Sequence, residues 1–209
     1  MTKPAARAPQ RSNARSNRAR ILATARQELG RNPDATLEEI AQASGVVRRT
    51  LFGHFPGRAA LLEALAEEAS DTLRSTLAAG SERFGPAEPP ERALASFVLT
   101  MWAVGDRYRL LLALARRDLG SARVTEVLAP ARAGVTAILE RGQRDGVFHR
   151  HLPAAALSAG LEAMTVALLE EVNARALRDD GTRTALATLI AAGVPEPAAR
   201  AAVERAQTA

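Results

Sequence analysis

The sequence predicts an all-α protein, with a small helical head near the N-terminus and a larger helical body behind it. Apolar residues recur at the spacing of amphipathic helices through most of the 209 residues, and no segment shows the alternation of a half-buried strand. Residues 1–58 carry 11 basic and four acidic side chains, whereas the rest of the chain carries 17 basic and 19 acidic ones. This basic head favours a polyanionic partner, with nucleic acid ahead of an anionic membrane surface.

The composition excludes several classes of protein. With 47% hydrophobic and 24% charged residues, the chain is typical of a globular protein. The absence of Cys excludes a disulfide scaffold, a Cys nucleophile and a thiolate metal site, and it fits a cytoplasmic protein. No apolar run approaches the roughly 18 residues of a spanning helix, so we expect no membrane insertion.

The head begins with a polar segment and a first helix. Residues 1–16 are rich in Pro, Ala, Ser and Arg without an apolar period, which predicts a disordered basic tail. From about Asn17 to Gly30 the pattern predicts a helix with one apolar face. That face consists of Ile21, Leu22, Ala25 and Leu29.

Two short helices follow the first one. Thr36 and Glu39 have the spacing of a capping box, which predicts the start of a helix that ends before Gly45. A third helix is predicted over about 47–52, after a turn of three to four residues. This arrangement is typical of a helix-turn-helix, whose second helix enters the major groove of DNA. The alternative is an ordinary helical hairpin.

The body is predicted as a series of helices separated at Gly and Pro residues. We expect Pro130 to kink or split the helix that contains it. The predicted helices run from Gly57 to near Gly80, from Pro90 to about Gly105, from Asp106 to Gly120, over about 122–145, from near Pro153, after Gly181, and after Pro195.

Residues 18–65 resemble the TetR family of tetracycline-repressor-like regulators. The family pattern is T-x-x-x-I-A-x-x-A-G-V-S, then T-L-Y-x-H-F, then K-x-x-L. The chain matches it without a gap at Thr36, Ile40, Ala41, Gly45, Val46, Thr50, Leu51, His54, Phe55 and Leu61 or Leu62. The resemblance implies a DNA-binding head over 17–62 and an effector-binding, dimerising body over 63–209.

The recognition helix opens with Arg48, Arg49 and Thr50, which we expect to lie closest to base edges. Arginine is the commonest reader of guanine. Adjacent helix positions point in different directions, so one arginine is expected to read a base and the other to bind phosphate. Which one does which stays open.

The other predicted DNA-binding residues come from the resemblance. Thr36, His54 and Arg58 are the phosphate candidates that it implies. Val47 stands where the family usually has Ser, which removes the hydroxyl cap of the recognition helix. Phe52 stands where the family usually has Tyr, which implies the loss of one phosphate contact.

The resemblance also implies a pocket for a small, largely apolar effector in the body. Trp102 and Tyr108 stand out because the chain has one of each, and both combine an apolar ring with a polar group. The alternative for each lining residue is an ordinary core position. The predicted lining consists of Phe97, Met101, Trp102, Tyr108, Leu111, Met164, Thr165 and Leu168.

A homodimer is expected through the helices within about 153–192, because small residues there allow close approach of another helix. These residues are Ala159, Gly160, Ala163 and Ala167, and the alternative is that this face packs on its own chain. His149 and His151 have no nearby acidic or Cys partner, so we predict no metal. No cofactor motif and no nucleophile–base pair is found, so we predict no enzyme.

The sequence therefore predicts a dimeric regulator that binds double-stranded DNA, most simply a repressor released from a palindromic operator by its effector. The alternatives are a nucleic-acid-binding protein without sequence preference or effector, and an enzyme.

Overall fold

The computed structural model describes the backbone of residues 8–208 and the side chains of residues 13–208. Helices are the only regular elements in these residues, which confirms the all-α prediction. The helices are α1 (Ala8–Arg31), α2 (Leu37–Ala43), α3 (Arg48–His54), α4 (Arg58–Ala79), α5 (Ser81–Phe84), α6 (Pro90–Asp118), α7 (Ser121–Arg144), α8 (Ala154–Asn173), α9 (Thr182–Ala191) and α10 (Glu196–Gln207).

The chain forms two compact units. The first consists of the described residues up to Glu68 together with Leu110–Val124, and the second consists of Ala69–Arg109 and Thr125–Ala209. The sequence pattern placed 110–124 in the body, whereas the structure groups this segment with the head. Among the described residues, no helix has both the length and the apolar character that a membrane span requires.

The first helix begins earlier than the sequence predicts. Residues 8–16 are helical, whereas the pattern predicted a disordered tail over 1–16. The prediction relied on an apolar period, but Ala, Arg and Gln favour helix without one, and Pro9 falls in the first turn, where proline is tolerated. The tail residues 1–7 lie outside the described residues.

The three N-terminal helices share a small apolar core. The predicted apolar face of α1 is confirmed, since Ile21, Leu22, Ala25 and Leu29 are all buried. They meet the buried apolar side chains of α2 and α3, so the opposite faces of these short helices are left to the solvent. The buried contributions from beyond α1 are Ala35, Ile40, Ala41, Leu51, Phe55, Leu61, Leu62, Ala64 and Leu65.

The predicted helix boundary at Gly105 and Asp106 is wrong, because α6 runs unbroken from Pro90 to Asp118. A Cβ on Gly105 would lie 3.1 Å from a methyl of Leu169, so glycine serves a close approach between helices here and not a turn. Asp106 pairs with Arg109 one turn later, at 2.8 Å between carboxylate and guanidinium.

Pro130 does not split α7, which is continuous from Ser121 to Arg144. The proline removes one main-chain donor, but Val124, Ile138 and Leu139 on either side of it are buried, and this packing holds both halves of the helix in place. The sequence pattern also missed α5, a single turn over Ser81–Phe84.

The second unit has its own core, to which α6, α7, α8, α9 and α10 contribute. The start of α9 is fixed by Asp179, whose carboxylate accepts hydrogen bonds from the main-chain N–H groups of Gly181, Arg183 and Thr184 and from the Thr184 hydroxyl, at 2.7–3.0 Å. One face of α8 is buried, and its members are Ala154, Leu157, Ser158, Leu161, Val166 and Leu169.

Candidate nucleic-acid interface

The helix-turn-helix is fixed at its first end by a capping box. The hydroxyl of Thr36 accepts a hydrogen bond from the Glu39 N–H at 3.2 Å. The Glu39 carboxylate accepts from the Thr36 N–H at 2.7 Å and from the Thr36 hydroxyl at 2.9 Å. These bonds satisfy two main-chain donors that would otherwise have no partner at the start of α2.

The same bonds lower the pKa of Glu39, with the Thr36 N–H as the largest cause and the Thr36 hydroxyl as the next. A carboxylate with a lowered folded-state pKa contributes stability above its unfolded-state pKa, and this contribution is lost as the pH falls through the lowered value. We therefore expect Glu39→Ala to lower the midpoint of thermal unfolding at pH 7, and this deficit to shrink below about pH 4.

Circular dichroism melts of the wild type and Glu39→Ala across pH 3–7 measure this difference. Glu140→Ala is the matched control, because Glu140 is also exposed and its carboxylate has no hydrogen-bond partner among the described residues. A deficit that stays constant from pH 7 to pH 3 would contradict the role of the ionised carboxylate.

The turn between α2 and α3 depends on Gly45, which has a φ of +66°. A side chain in this left-handed conformation is strained, so the glycine lets the chain reverse and start α3 within four residues. The small Ser44 beside it is buried, and its hydroxyl donates to the Ala41 carbonyl at 3.1 Å. The turn thereby positions α3 across α2.

Val47 lies at the N-cap of α3 and forms no side-chain capping bond, which agrees with the missing hydroxyl. Its side chain is 70% exposed, more than any other large apolar side chain in the described residues. Valine is a poor N-cap, and an exposed isopropyl group gains nothing from burial. Neither property of Val47 stabilises the fold.

Arg48 is the first residue of α3 and already has two partners. Its Nη2 lies 2.9 Å from a carboxylate oxygen of Glu38 on α2. Its guanidinium also lies over the ring of Phe52, one turn later, at 5.1 Å from the ring centre. The ion pair is open to solvent, with side chains 71% and 49% exposed.

Arg49 is exposed, and it forms no hydrogen bond, ion pair or ring contact with any residue that the structure describes. The two neighbouring arginines therefore differ: one is held by its own chain and the other is available to a ligand. The sequence could not distinguish them, because the partner that separates them, Glu38, lies on the preceding helix.

The other residues of α3 that were predicted to bind DNA lie on the same short helix as Arg48 and Arg49. Thr50, Phe52 and His54 are half-buried. The His54 ring lies 6.2 Å from the ring of Phe55, which is buried in the head core. A contact that the sequence pattern missed places the guanidinium of Arg18, on α1, 5.4 Å from the centre of that same Phe55 ring.

Arg58 has a different environment from the one predicted for a phosphate ligand. Its Nε donates to an Asp118 carboxylate oxygen at 3.1 Å, and its Nη1 donates to the Ala35 carbonyl at 2.9 Å. Its Nη2 donates to the Pro33 carbonyl. Hydrogen bonds from Arg117, with a smaller contribution from Arg58, lower the pKa of Asp118. All three nitrogens of Arg58 therefore bind its own chain, as a five-donor guanidinium allows.

The eight residues predicted to line an effector pocket divide between the two units. Leu111 belongs to the first unit and the other seven belong to the second. Phe97 and Trp102 are both buried there; the Phe97 ring packs edge-on to Phe84 at 5.1 Å, and the Trp102 indole lies against Gly181. Met101 and Met164 pack against the core of the second unit, and Leu168 is half-buried.

The polar groups of this set also have partners. The Tyr108 hydroxyl lies 3.1 Å from the Thr72 hydroxyl. The Thr165 hydroxyl donates to the Leu161 carbonyl at 2.9 Å, and that of Thr100 donates to the Ser96 carbonyl at 2.7 Å. The threonine bonds stay within one helix, so each hydroxyl keeps acceptor capacity for a ligand.

His149 and His151 stack on each other at 5.1 Å between ring centres. The Nε2 of His149 lies 3.1 Å from the Ala191 carbonyl, which ties the loop to the end of α9. Within the described residues, no group of three or more His, Cys, Asp or Glu side chains has the arrangement of a metal site.

Comparison with known proteins identifies a family match for the segment that contains the helix-turn-helix. Residues 21–65 match the family described as bacterial regulatory proteins, tetR family. Among curated sequences no match was found.

Solved structures with a similar fold are numerous, and the three described next are distant in sequence. A tetR-family regulatory protein from Rhodococcus RHA1 is 21% identical, with a TM-score of 0.68 over 86% of this chain and 98% of that one. The fatty acid degradation regulator FadR from Bacillus halodurans is 16% identical, with a TM-score of 0.65 over 85% and 99%. RolR in complex with resorcinol is 19% identical, with a TM-score of 0.57 over 93% and 96%. The matched family and the first two of these structures are described as regulatory proteins or regulators.

Proposed function

We propose that the protein is a homodimeric transcriptional repressor, which leaves its operator when a small, largely apolar molecule binds the second unit. The match of residues 21–65 to the tetR family supports this proposal. The observation that carries this proposal is the exposed face of α3, where Val47 and Arg49 point to the solvent while Leu51 anchors the helix in the core. Such a regulator acts on the bacterial chromosome, in the cytoplasm.

The contacts of the two arginines support different roles on DNA. Arg49 has no partner among the described residues, so it can donate two N–H groups of its guanidinium to guanine O6 and N7. Arg48 is drawn towards α2 by Glu38, which favours a contact with the phosphate backbone. Thr36 and His54 remain phosphate candidates. For Arg58 we propose a structural role in place of the phosphate contact.

Val47 supplies the apolar part of the recognition surface. An exposed isopropyl group at the start of a recognition helix suits the C5-methyl of thymine, which is the apolar feature of the major groove. We expect Val47→Ser to raise the stability of the head by about 1 kcal/mol, because serine caps the helix, and to weaken operator binding. The loss is about fourfold per thymine contact, the value of one buried methyl group.

Replacing thymine by deoxyuridine in the operator tests this contact, since the base then lacks only the methyl. The wild type should lose affinity for the deoxyuridine operator, and Val47→Ser should bind both operators equally. Leu152→Ser, which changes an exposed apolar side chain in the second unit, is the control and should retain the wild-type preference. An equal preference for thymine in Val47→Ser and the wild type would refute the role of Val47.

The exposed face of α8 supports the dimer. Ala159, Gly160, Ala163 and Ala167 are all exposed, so this face does not pack on its own chain. A Cβ on Gly160 would meet no atom within 4 Å. A second copy that packs on this face buries the small residues along a two-fold axis. The dimer then presents one recognition helix to each half-site of a palindromic operator.

The effector is proposed from the apolar lining of the second unit. Met101, Met164 and Leu168 are half-buried apolar side chains, and the two methionines can adapt their shape to a ligand. Trp102 is buried, and the hydroxyls of Tyr108 and Thr165 can orient a polar group. The solved structure of RolR holds resorcinol, a ring with two polar groups. For this chain we propose the class only, a small molecule with an apolar body.

Selection from random duplex DNA tests the proposed function. We expect the purified protein to enrich one palindromic sequence and to bind it at least about 10³-fold more tightly than unrelated DNA at physiological salt. Equal binding to all duplexes would instead support a sequence-independent nucleic-acid-binding protein, which the basic head also permits. Absence of binding at low salt would refute both.

A further inference from the structure

The ion pair between Glu38 and Arg48 places a negative charge on the surface that, on the proposed function, faces DNA. Glu38 is the second residue of α2 and Arg48 the first residue of α3, so the pair joins the two helices of the motif. Exposed pairs of this kind add little to stability, because water screens them. An acidic side chain beside the phosphates also weakens DNA binding in general. Its place in the first turn of α2 gives Glu38 a small stabilising role through the helix dipole, but that role does not require a pair with Arg48.

The geometry around Arg48 provides an explanation. Glu38 contacts one terminal nitrogen, Nη2, and the Phe52 ring lies beneath the guanidinium at 5.1 Å. The carboxylate and the ring together hold the guanidinium on the α2 side of α3. Its other nitrogens stay open, so Arg48 can keep Glu38 on one edge and use the other edge for DNA.

We propose that Glu38 is a specificity-determining residue, which competes with phosphate for Arg48 and so weakens binding to DNA other than the operator. This inference rests on the proposed function. On unrelated DNA the head has no base contacts to fix its register, and Arg48 must leave Glu38 to reach a phosphate. The carboxylate is then left unpaired in the field of the duplex.

On the operator the balance is different. Base contacts by Arg49 fix the register, and Arg48 keeps its pair with Glu38 while its free edge contacts the DNA. The Glu38 carboxylate, still paired, then weakens operator binding only slightly. Glu38 is in this sense a repulsive element that acts against the wrong partners, which is one of the two routes to specificity.

The experiment measures binding of the wild type and Glu38→Gln to the selected operator and to unrelated duplex DNA over a range of salt concentrations. We expect Glu38→Gln to bind unrelated DNA about fivefold more tightly for each head that engages it, the upper value of an exposed ion pair. The salt dependence on unrelated DNA should steepen by about 0.9 per engaged head, as for one additional phosphate contact each. Operator affinity should change less than twofold, so the specificity ratio falls.

A general effect of charge is separated from this mechanism by a double-mutant cycle with Arg48→Ala. If Glu38 acts through Arg48, the gain of Glu38→Gln on unrelated DNA is much smaller in the Arg48→Ala background, where only the general effect of the charge remains. Glu28→Gln is the matched control, since it makes the same change of net charge and frees Arg31 at the end of α1 instead of Arg48. It should leave the specificity ratio unchanged.

The outcomes distinguish the inference from the function on which it rests. Equal gains on unrelated DNA with and without Arg48, or equal gains on operator and unrelated DNA, overturn the inference and leave the proposed function standing. A wild type that selects no sequence overturns the proposed function and this inference with it. Unchanged melting curves of Glu38→Gln show that any difference in binding is not caused by unfolding.

Discussion

We expect Arg49→Ala to lower the affinity for the operator by at least about thirtyfold and to remove the preference for guanine at one position of each half-site. The reason is that Arg49 is the exposed, unpartnered arginine of the recognition helix. A bidentate contact to guanine contributes about 1–3 kcal/mol of discrimination, and a dimer on a palindrome loses two such contacts. Titrations by fluorescence anisotropy on operators with each base at that position measure both effects.

Arg48→Ala is the informative comparison, because it removes the same charge one residue away. It should weaken operator binding and reduce the salt dependence on the operator by about one phosphate per head, without a change in base preference, and it should affect unrelated DNA less, because Glu38 competes for Arg48 there. Arg31→Ala controls for net charge, since Arg31 is an exposed arginine at the far end of α1 whose partner is Glu28. If Arg49→Ala binds with wild-type affinity and preference, the assignment of α3 as the reading helix fails.

The sequence was sufficient for the helix-turn-helix because its signals are local. The capping box of Thr36 and Glu39 and the positive φ of Gly45 are each set by residues within one turn of the chain. Local rules fail where a distant neighbour decides. The sequence pattern around Gly105 predicts a helix end, but this residue lies within α6. A glycine is present there because Leu169 packs close beside it.

The same distinction separates the site residues. The absence of a cap at Val47 follows from its own side chain and was predictable. The inward direction of Arg58 was not, because two of its acceptors are main-chain carbonyls some 25 residues away, at Pro33 and Ala35, and the third is Asp118. The different states of Arg48 and Arg49 depend in the same way on Glu38. Side-chain type indicates which chemistry is available, and tertiary contacts decide which groups remain free for it.

The proposed dimer through α8 predicts the second large effect, which is the loss of operator binding in Ala163→Glu. Ala163 is exposed in the single chain, so the added carboxylate does not disturb the fold. Across a two-fold axis, however, the substitution brings two negative charges together in a tightly packed face. We expect a monomer by light scattering at micromolar concentration, and a loss of operator affinity of at least about 100-fold, because one head then binds without its partner.

Two further variants make this result specific to the α8 face. Ala137→Glu places the same charge at an exposed alanine of α7 and should leave both the mass and the operator affinity unchanged. Gly160→Ala meets no atom of its own chain, so it should raise or preserve the stability of the single chain through better helix propensity. At a close helix–helix contact the same methyl group separates the two copies and weakens the dimer. A dimer that withstands both Gly160→Ala and Ala163→Glu must be formed elsewhere, since no close contact at these positions accommodates both substitutions.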